Sequence, residues 1–244
     1  MEDLLYWGHV PSREYGAYSG AGYADKYQRL PIIWGPSYAT GASLSGTIGR
    51  FDYAAEIKNA ALASRPEYWD LTEQNFAHPS FNGHLAFRPN AMWNFGLSAG
   101  AGPYLSDEAA VTLPLGRGIG DYRELVLGED ISVAWHHFQF WAEFFEARFQ
   151  VPGIGNADTF SYYLEAKYKI TPQLFAALRW NQQLFSTVRE AGSWAQWGPD
   201  TWRIDGAVGY RFTNYLQGKV QYSFTDGEYQ KANNLLALQL TLKF

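Results

Sequence analysis

Charged side chains recur at every second position in several segments of this chain. Glu165, Lys167 and Lys169 alternate with Ala166, Tyr168 and Ile170; Arg203, Asp205 and Arg211 alternate with Ile204, Val208 and Tyr210; Lys219 and Gln221 alternate with Val220 and Tyr222. Alternate positions of an extended chain project to one face. A face so charged can do one of two things. It can line a wet passage whose rows of charge set a transverse field for ions, or it can pair into a salt-bridge network that holds an interior shut. By phase the face carries Asp52, Glu56, Lys58, Arg88, Asp130, Glu143, Glu146, Arg148, Glu165, Lys167, Lys169, Arg179, Arg203, Asp205, Arg211, Lys219 and Lys243. Ten bases against seven acids predict a weak preference for anions.

Other chemistry is thin. His84 is the one histidine expected at mid-strand on the charged face, with Ser45 or Ser98 near it and Asp52 beyond, so a barrel hydrolase is the third reading. No catalytic residue is assigned. His136-His137 falls on a turn that sends its two rings to opposite faces, which argues against a metal site. Gly116-Arg-Gly-Ile-Gly120 is followed by no helical pattern and so does not read as a phosphate cradle. The chain has no cysteine, which removes disulfides and thiolate metal sites. A formal charge of −5 and an isoelectric point near 5.5 weigh against nucleic acid as a partner. No cofactor is expected.

The elements that must position these side chains are strands. In the last ten residues Leu236, Leu238, Leu240, Leu242 and Phe244 alternate with Ala237, Gln239, Thr241 and Lys243, giving one apolar and one polar face and an aromatic end. The same period of two runs through 42–49, 52–61, 81–88, 93–101, 125–135, 138–151, 160–170, 174–184, 202–212 and 215–224. Within 138–151 the phase slips, and a β-bulge near Phe144-Phe145 would restore it. Hydrophobic residues make up 47% of the 244, yet mean hydropathy is −0.30, as interleaving requires. No apolar run is long enough for a transmembrane helix. Ten Trp, 17 Tyr and 16 Phe suit interfacial girdles. Short connections at 50–51, 89–92, 136–137, 171–173 and 213–214 alternate with long ones at 62–80, 102–124, 152–159, 185–201 and 225–234. The fold class read from this is all-β: a transmembrane antiparallel up-and-down β-barrel of 11–12 visible strands, with short periplasmic turns and long extracellular loops, in a bacterial outer membrane. Residues 1–40 read as an extracellular loop-like segment, with one poor strand at 2–10, and residues 41–244 as the barrel domain. The loop 102–124 is long enough to fold inward as a constriction.

Residues 165–181, 209–224 and 238–244, which contain Lys167-Tyr-Lys-Ile-Thr-Pro172, Tyr210-Arg-Phe-Thr-Asn214 and Leu240-Thr-Leu-Lys-Phe244, resemble bacterial outer-membrane porins of the general and phosphate-selective type. The resemblance implies passive diffusion of small hydrophilic solutes, often through a trimer. The chain is short for that family's strand count, so strands preceding Met1 are expected, and no export signal is visible at its start. Expected partners are outer-membrane lipid and lipopolysaccharide, the barrel assembly machinery acting on Phe244 as assembly signal, small polar solutes, and further copies of the chain. The alternative function is a structural or partner-binding barrel with a closed lumen, its loop aromatics Tyr68, Trp69, Trp194 and Trp197 forming a docking surface.

Overall fold

A computed structural model describes residues 41–59, 76–105, 111, 113–190, 192–227 and 230–243, without side chains for 190 and 230–233. The expectations for residues 1–40, Tyr68, Trp69 and Phe244 lie outside these residues. Among the described residues thirteen strands form: β1 Gly41–Ile48, β2 Phe51–Lys58, β3 Ser80–Phe87, β4 Trp93–Pro103, β5 Arg123–Trp135, β6 Phe138–Val151, β7 Gly155–Lys169, β8 Leu174–Phe185, β9 Thr187–Glu190, β10 Ser193–Gln196, β11 Thr201–Arg211, β12 Leu216–Gly227 and β13 Gln230–Leu242. Eleven make one sheet in sequence order, each antiparallel to the next; β9 and β10 form a separate hairpin between β8 and β11.

The sheet is built inside out relative to a water-soluble protein. On its outer face Leu236, Leu238 and Leu240 are 73%, 78% and 70% exposed. On its inner face Glu165 and Asp205 are 0% exposed and Lys219 3%. In water each exposed leucine would forgo roughly 1.5–3 kcal/mol of burial, while in lipid the same face is satisfied. Outer aromatics gather in two rows. The lower row, by the short turns, includes Phe51, Phe87, Trp93, Trp135, Phe138, Tyr210 and Phe212; the upper one includes Phe144, Phe160, Tyr162, Trp180, Trp202 and Phe224. Trp180 stacks on Trp202 at 5.0 Å, and Phe51 on Phe87 at 4.9 Å. Two such rows bounding an aliphatic band are the layout of a membrane-spanning barrel wall.

The short turns carry their own sequence logic. In Thr171-Pro-Gln-Leu174 and Thr213-Asn-Tyr-Leu216 the threonine hydroxyl accepts from two following backbone N–H groups, Gln173 and Leu174 in the first and Tyr215 and Leu216 in the second. Asn90 does the same for Met92 and Trp93 through its side-chain oxygen.

Three expectations need correction. First, β6 has no bulge: its register with β7 runs unbroken from Phe138↔Tyr168 to Val151↔Gly155. Phe145 and Phe149 therefore face inward, and Arg148 and Glu146 outward. The inward rings have room: Phe145 lies over Gly128, its partner on β5, and Phe149 meets Tyr104 and Trp197 edge-on at 5.2 and 5.7 Å. Second, the connections at 152–159 and 225–234 are not long. Val151 already pairs with Gly155, and Gly227 with Gln230. These strand ends rise past the apolar band, so their pairing carries no hydrophobic period. Third, the described part of 104–122 is not what packs on the inner wall beyond Tyr104; Leu115 is fully exposed. The segment after β8 does so instead. Val188 of β9 is buried against Ala147, Phe149 and Ala157, all inner-face residues, and Trp197 sits between Phe149 and Phe185.

Candidate functional site

The inner face is the candidate site, because the sheet concentrates its polar chemistry there. Register places Asp52, Glu56, Lys58, Asp130, Glu143, Glu165, Lys167, Arg179, Arg203, Asp205, Arg211 and Lys219 on this side. Arg88 and Lys243 continue the inner phase of β3 and β13. Glu146 and Arg148 are the exceptions, both outward, and Arg148 holds the Asp158 carboxylate through two hydrogen bonds of 2.7 and 2.9 Å. Glu124, one residue before the expected start of its strand, is inward and buried. Simple alternation from Val126 would have found it.

The inner charges divide into two arcs. Across β1–β6 lie Asp52, Glu56, Glu124, Asp130 and Glu143 with Lys58 and Arg88; across β7–β13 lie Lys167, Lys169, Arg179, Arg203, Arg211, Lys219 and Lys243 with Glu165 and Asp205. The acidic arc has local partners: Asp52 accepts from Thr47 at 2.6 Å and from Arg88, and Lys58 lies 3.5 Å from Glu56. In the basic arc the two carboxylates are absorbed at mid-height. Arg179 lies 3.6 Å from Glu165 and its guanidinium stands 3.7 Å over the Tyr163 ring. Asp205 accepts from Arg203 at 3.0 Å, from Asn181 at 2.9 Å and from Gln221 at 3.5 Å. This ladder crosses β7, β8, β11 and β12, and every charge in it is 5% exposed or less.

Below the ladder, toward the short turns, the inner face opens into a cavity of about 970 Å³. Gln139 and Trp141 of β6, Lys167 of β7, Arg211 and Gln217 beside the β11–β12 turn, and Gln239, Thr241 and Lys243 at the end of β13 line it. Strands at opposite sides of this part of the sheet thus line one space, so the sheet curls around it. Near β1–β5 a second cavity of about 360 Å³ contains Glu56, Lys58, His84 and Ser98.

At the upper end the β9–β10 hairpin closes on the wall. Trp197 donates its indole N–H to the Asp158 carbonyl at 2.7 Å, and Asp200 accepts from the Phe185 amide at 2.9 Å. Trp197 was expected on an outer docking surface and is instead packed inward, whereas Trp194 is 70% exposed.

Of the trio considered for nucleophilic chemistry, His84 Nδ1 and Ser98 Oγ are 2.8 Å apart. Asp52 is turned toward Thr47 and Arg88, and Ser45 lies two strands from His84 on the same register line. His137 Nδ1 bonds the Lys169 carbonyl at 2.9 Å, and among the described residues no cluster of three metal-ligating side chains forms.

No protein-family model matches the chain. No curated protein sequence matches it either. Solved structures do. OmpT, an outer membrane protein of Vibrio cholerae, superposes with a TM-score of 0.62 at 9% identity over 89% of this chain and 72% of its own, and its trimer form with a TM-score of 0.58. OmpF of Salmonella typhi, solved with daunomycin, gives 0.58 at 12% identity over 83% of this chain and 61% of its own. An anion-selective porin from Comamonas acidovorans gives 0.55 at 11% over 81% and 57%. At such identities the likeness speaks of fold. The fold is that of the outer-membrane porins: an up-and-down antiparallel barrel wall with an apolar outside.

Proposed function

We propose that the chain forms a porin-like channel of the bacterial outer membrane, through which small hydrophilic solutes or ions diffuse passively. The observation that carries this reading is the polarity of the wall: an aliphatic outer band between two aromatic rows, and an inner face of opposed acidic and basic arcs opening into cavities of about 970 and 360 Å³. Arcs of opposite sign across a passage hold a transverse field, which orients dipolar solutes and impedes apolar ones. With Glu146 and Arg148 outside and Glu124 inside, the described inner face carries nine bases and seven acids, which supports a weak anion preference. We read the chain as non-enzymatic, because the carboxylate that would orient His84 is committed elsewhere. Liposomes containing the folded protein should swell in isosmotic solutions of small sugars and not in those of large oligosaccharides. Equal behaviour of protein-containing and empty liposomes would remove the channel.

One observation favours a narrower lumen. The Glu165–Arg179 and Arg203–Asp205 ladder is almost wholly buried, as in a wall that packs rather than one bathed in water. In a structural barrel this ladder would seal the passage; in a channel it forms one rigid side of it.

We also propose that further copies of the chain pack on the outer face of β2–β5. Glu129 faces outward there, flanked across the strands by Leu97 and Phe144. A carboxylate in that setting is unfavourable against lipid. Beside it Ala55, Gly83 and Ala99 lie on one register line and make the surface flat. The upper aromatic row, continuous from β6 to β12, is represented on the described part of β1–β5 by Phe81 alone.

A further inference from the structure

We propose that the cavity of about 360 Å³ on the inner face of β2–β6 is a binding site for one neutral pyranose sugar. The inference deepens the channel reading by naming a solute that the wall holds. Its place in transport rests on that reading, while the binding itself does not require conduction.

Two neighbouring register lines build the site. The first runs through Ala54, His84, Ser98, Gly128 and Phe145, from β2 to β6. The second lies two residues nearer the long-loop end and runs through Glu56, Asn82, Gly100 and Val126, from β2 to β5. All of them line the cavity. Their order along the lines sorts the chemistry. β2, β3 and β4 contribute a carboxylate, an amide, an imidazole and a hydroxyl. β5 and β6 contribute an isopropyl group and a phenyl ring. The space therefore has one polar side and one apolar side.

Small residues make the hollow, and one glycine shapes it. A Cβ on Gly128 would lie 3.1 Å from Phe145 Cε1 and 3.5 Å from Ser98 Cβ. Its absence lets the ring come alongside Ser98, two strands away, so that ring and hydroxyl form adjoining parts of one wall.

The polar side is already oriented. His84 Nδ1 and Ser98 Oγ are 2.8 Å apart, which leaves the imidazole Nε2 and the second lone pair of the hydroxyl for a ligand. Asn82 adds an amide, a donor and an acceptor in one group. Glu56 stands 3.5 Å from Lys58 Nζ. This pair supplies directional polar atoms while its two charges offset each other.

The chemistry selects the ligand. An ion gains little from a site whose acid and base face one another. A wholly apolar solute would take water from the amide, imidazole and carboxylate and return no hydrogen bond. A pyranose does both tasks: its hydroxyl edge meets β2–β4, and its flat C–H face lies against the ring on β6. The volume is at the small end of the range for small-molecule sites, so the cavity takes one sugar ring and not an oligosaccharide.

The test is saturation-transfer difference NMR with D-glucose and D-galactose on the protein folded in zwitterionic detergent, with folding of every variant verified by heat-modifiable migration. At least one of the two hexoses should show saturable transfer, with an affinity on the order of millimolar. Sorbitol, which has the hydroxyls but no fixed apolar face, should show none. Phe145→Leu should weaken binding roughly three- to tenfold by removing the ring. Ala54→Phe, which fills the hollow, should abolish it. Leu85→Phe, on the opposite face of β3, should bind as wild type does. No saturable transfer from either hexose, equal transfer from sorbitol, undiminished binding by Phe145→Leu or Ala54→Phe, or an equal loss in Leu85→Phe would each overturn the inference. Binding by a barrel that passes no current would keep the sugar site and remove the channel; current without binding would do the reverse.

Discussion

Val220→Arg should prevent stable insertion, and the structure gives the size of the effect. Val220 faces outward on β12 between Val208 of β11 and Leu238 of β13. It is four residues from Leu216 at the lower turn and four from Phe224 in the upper aromatic row, so it lies near the middle of the apolar band. Its outward neighbours along the strand are Gly218 and Tyr222, and no acidic side chain is beside it to receive a guanidinium. An arginine at the midplane of a barrel's lipid face costs about 2–4 kcal/mol, or roughly 30-fold to several hundred-fold in the folded-to-unfolded ratio at about 1.4 kcal/mol per factor of ten. Thr241→Arg is the matched control. Thr241 faces inward and lines the cavity of about 970 Å³, which has space for the longer side chain. Both variants would be folded into liposomes over a urea series, and the folded fraction read from heat-modifiable migration. Val220→Arg should shift its midpoint to much lower urea, with Thr241→Arg close to wild type. Equal midpoints for Val220→Arg and wild type, or a larger loss for Thr241→Arg, would reverse the assignment of the two faces.

Asp205→Ala removes the carboxylate that accepts from Arg203 Nε and Asn181 Nδ2 in a wholly buried setting, and should cost about 3–5 kcal/mol in the same assay; a loss below about 1 kcal/mol, as for an exposed pair, would show that water bathes the ladder. Trp197→Ala removes the contacts to Phe149 and Phe185 and the bond to the Asp158 carbonyl, so single-channel conductance should rise as the β9–β10 hairpin comes off the wall; unchanged conductance would place the hairpin outside the ion path. Lys219→Leu removes inner positive charge and should shift the reversal potential in a salt gradient toward cation selectivity, while an unchanged potential would count against a role for this arc. Glu129→Leu should reduce self-association in detergent, measured by sedimentation, and an unchanged oligomer would move the interface elsewhere.

The sheet was legible from the sequence because lipid on one side and a polar interior on the other impose a strict period of two. Leu236 to Leu242 and Trp202 to Tyr210 declare their outer faces residue by residue, and the hairpin turns are marked by Thr171-Pro172 and Thr213-Asn214. The period fails where lipid no longer supplies it. In upper β6 both faces carry rings: Phe144 belongs to the outer girdle, and Phe145 and Phe149 belong to the inner wall, where Gly128, Tyr104 and Trp197 receive them. A slip in phase was the natural reading, and it sent Arg148 to the wrong face. The strand ends at 155–159, 225–227 and 230–234 rise above the apolar band, so they read as loop although they pair. The landing of the β9–β10 hairpin depends on Val188 and Trp197 finding partners far away in sequence, which no local pattern encodes. Charged inner residues were legible as a set, but their partition between a buried ladder at mid-height and a lower cavity lined by Lys167, Arg211 and Lys243 depends on cross-strand register.

Single-channel recording in a planar bilayer tests the central claim most directly. The account predicts discrete, long-lived conductance steps from the folded protein, with modest anion preference in a salt gradient. A folded, heat-modifiable barrel that inserts into the bilayer and passes no current would contradict it and establish the wall as that of a closed barrel.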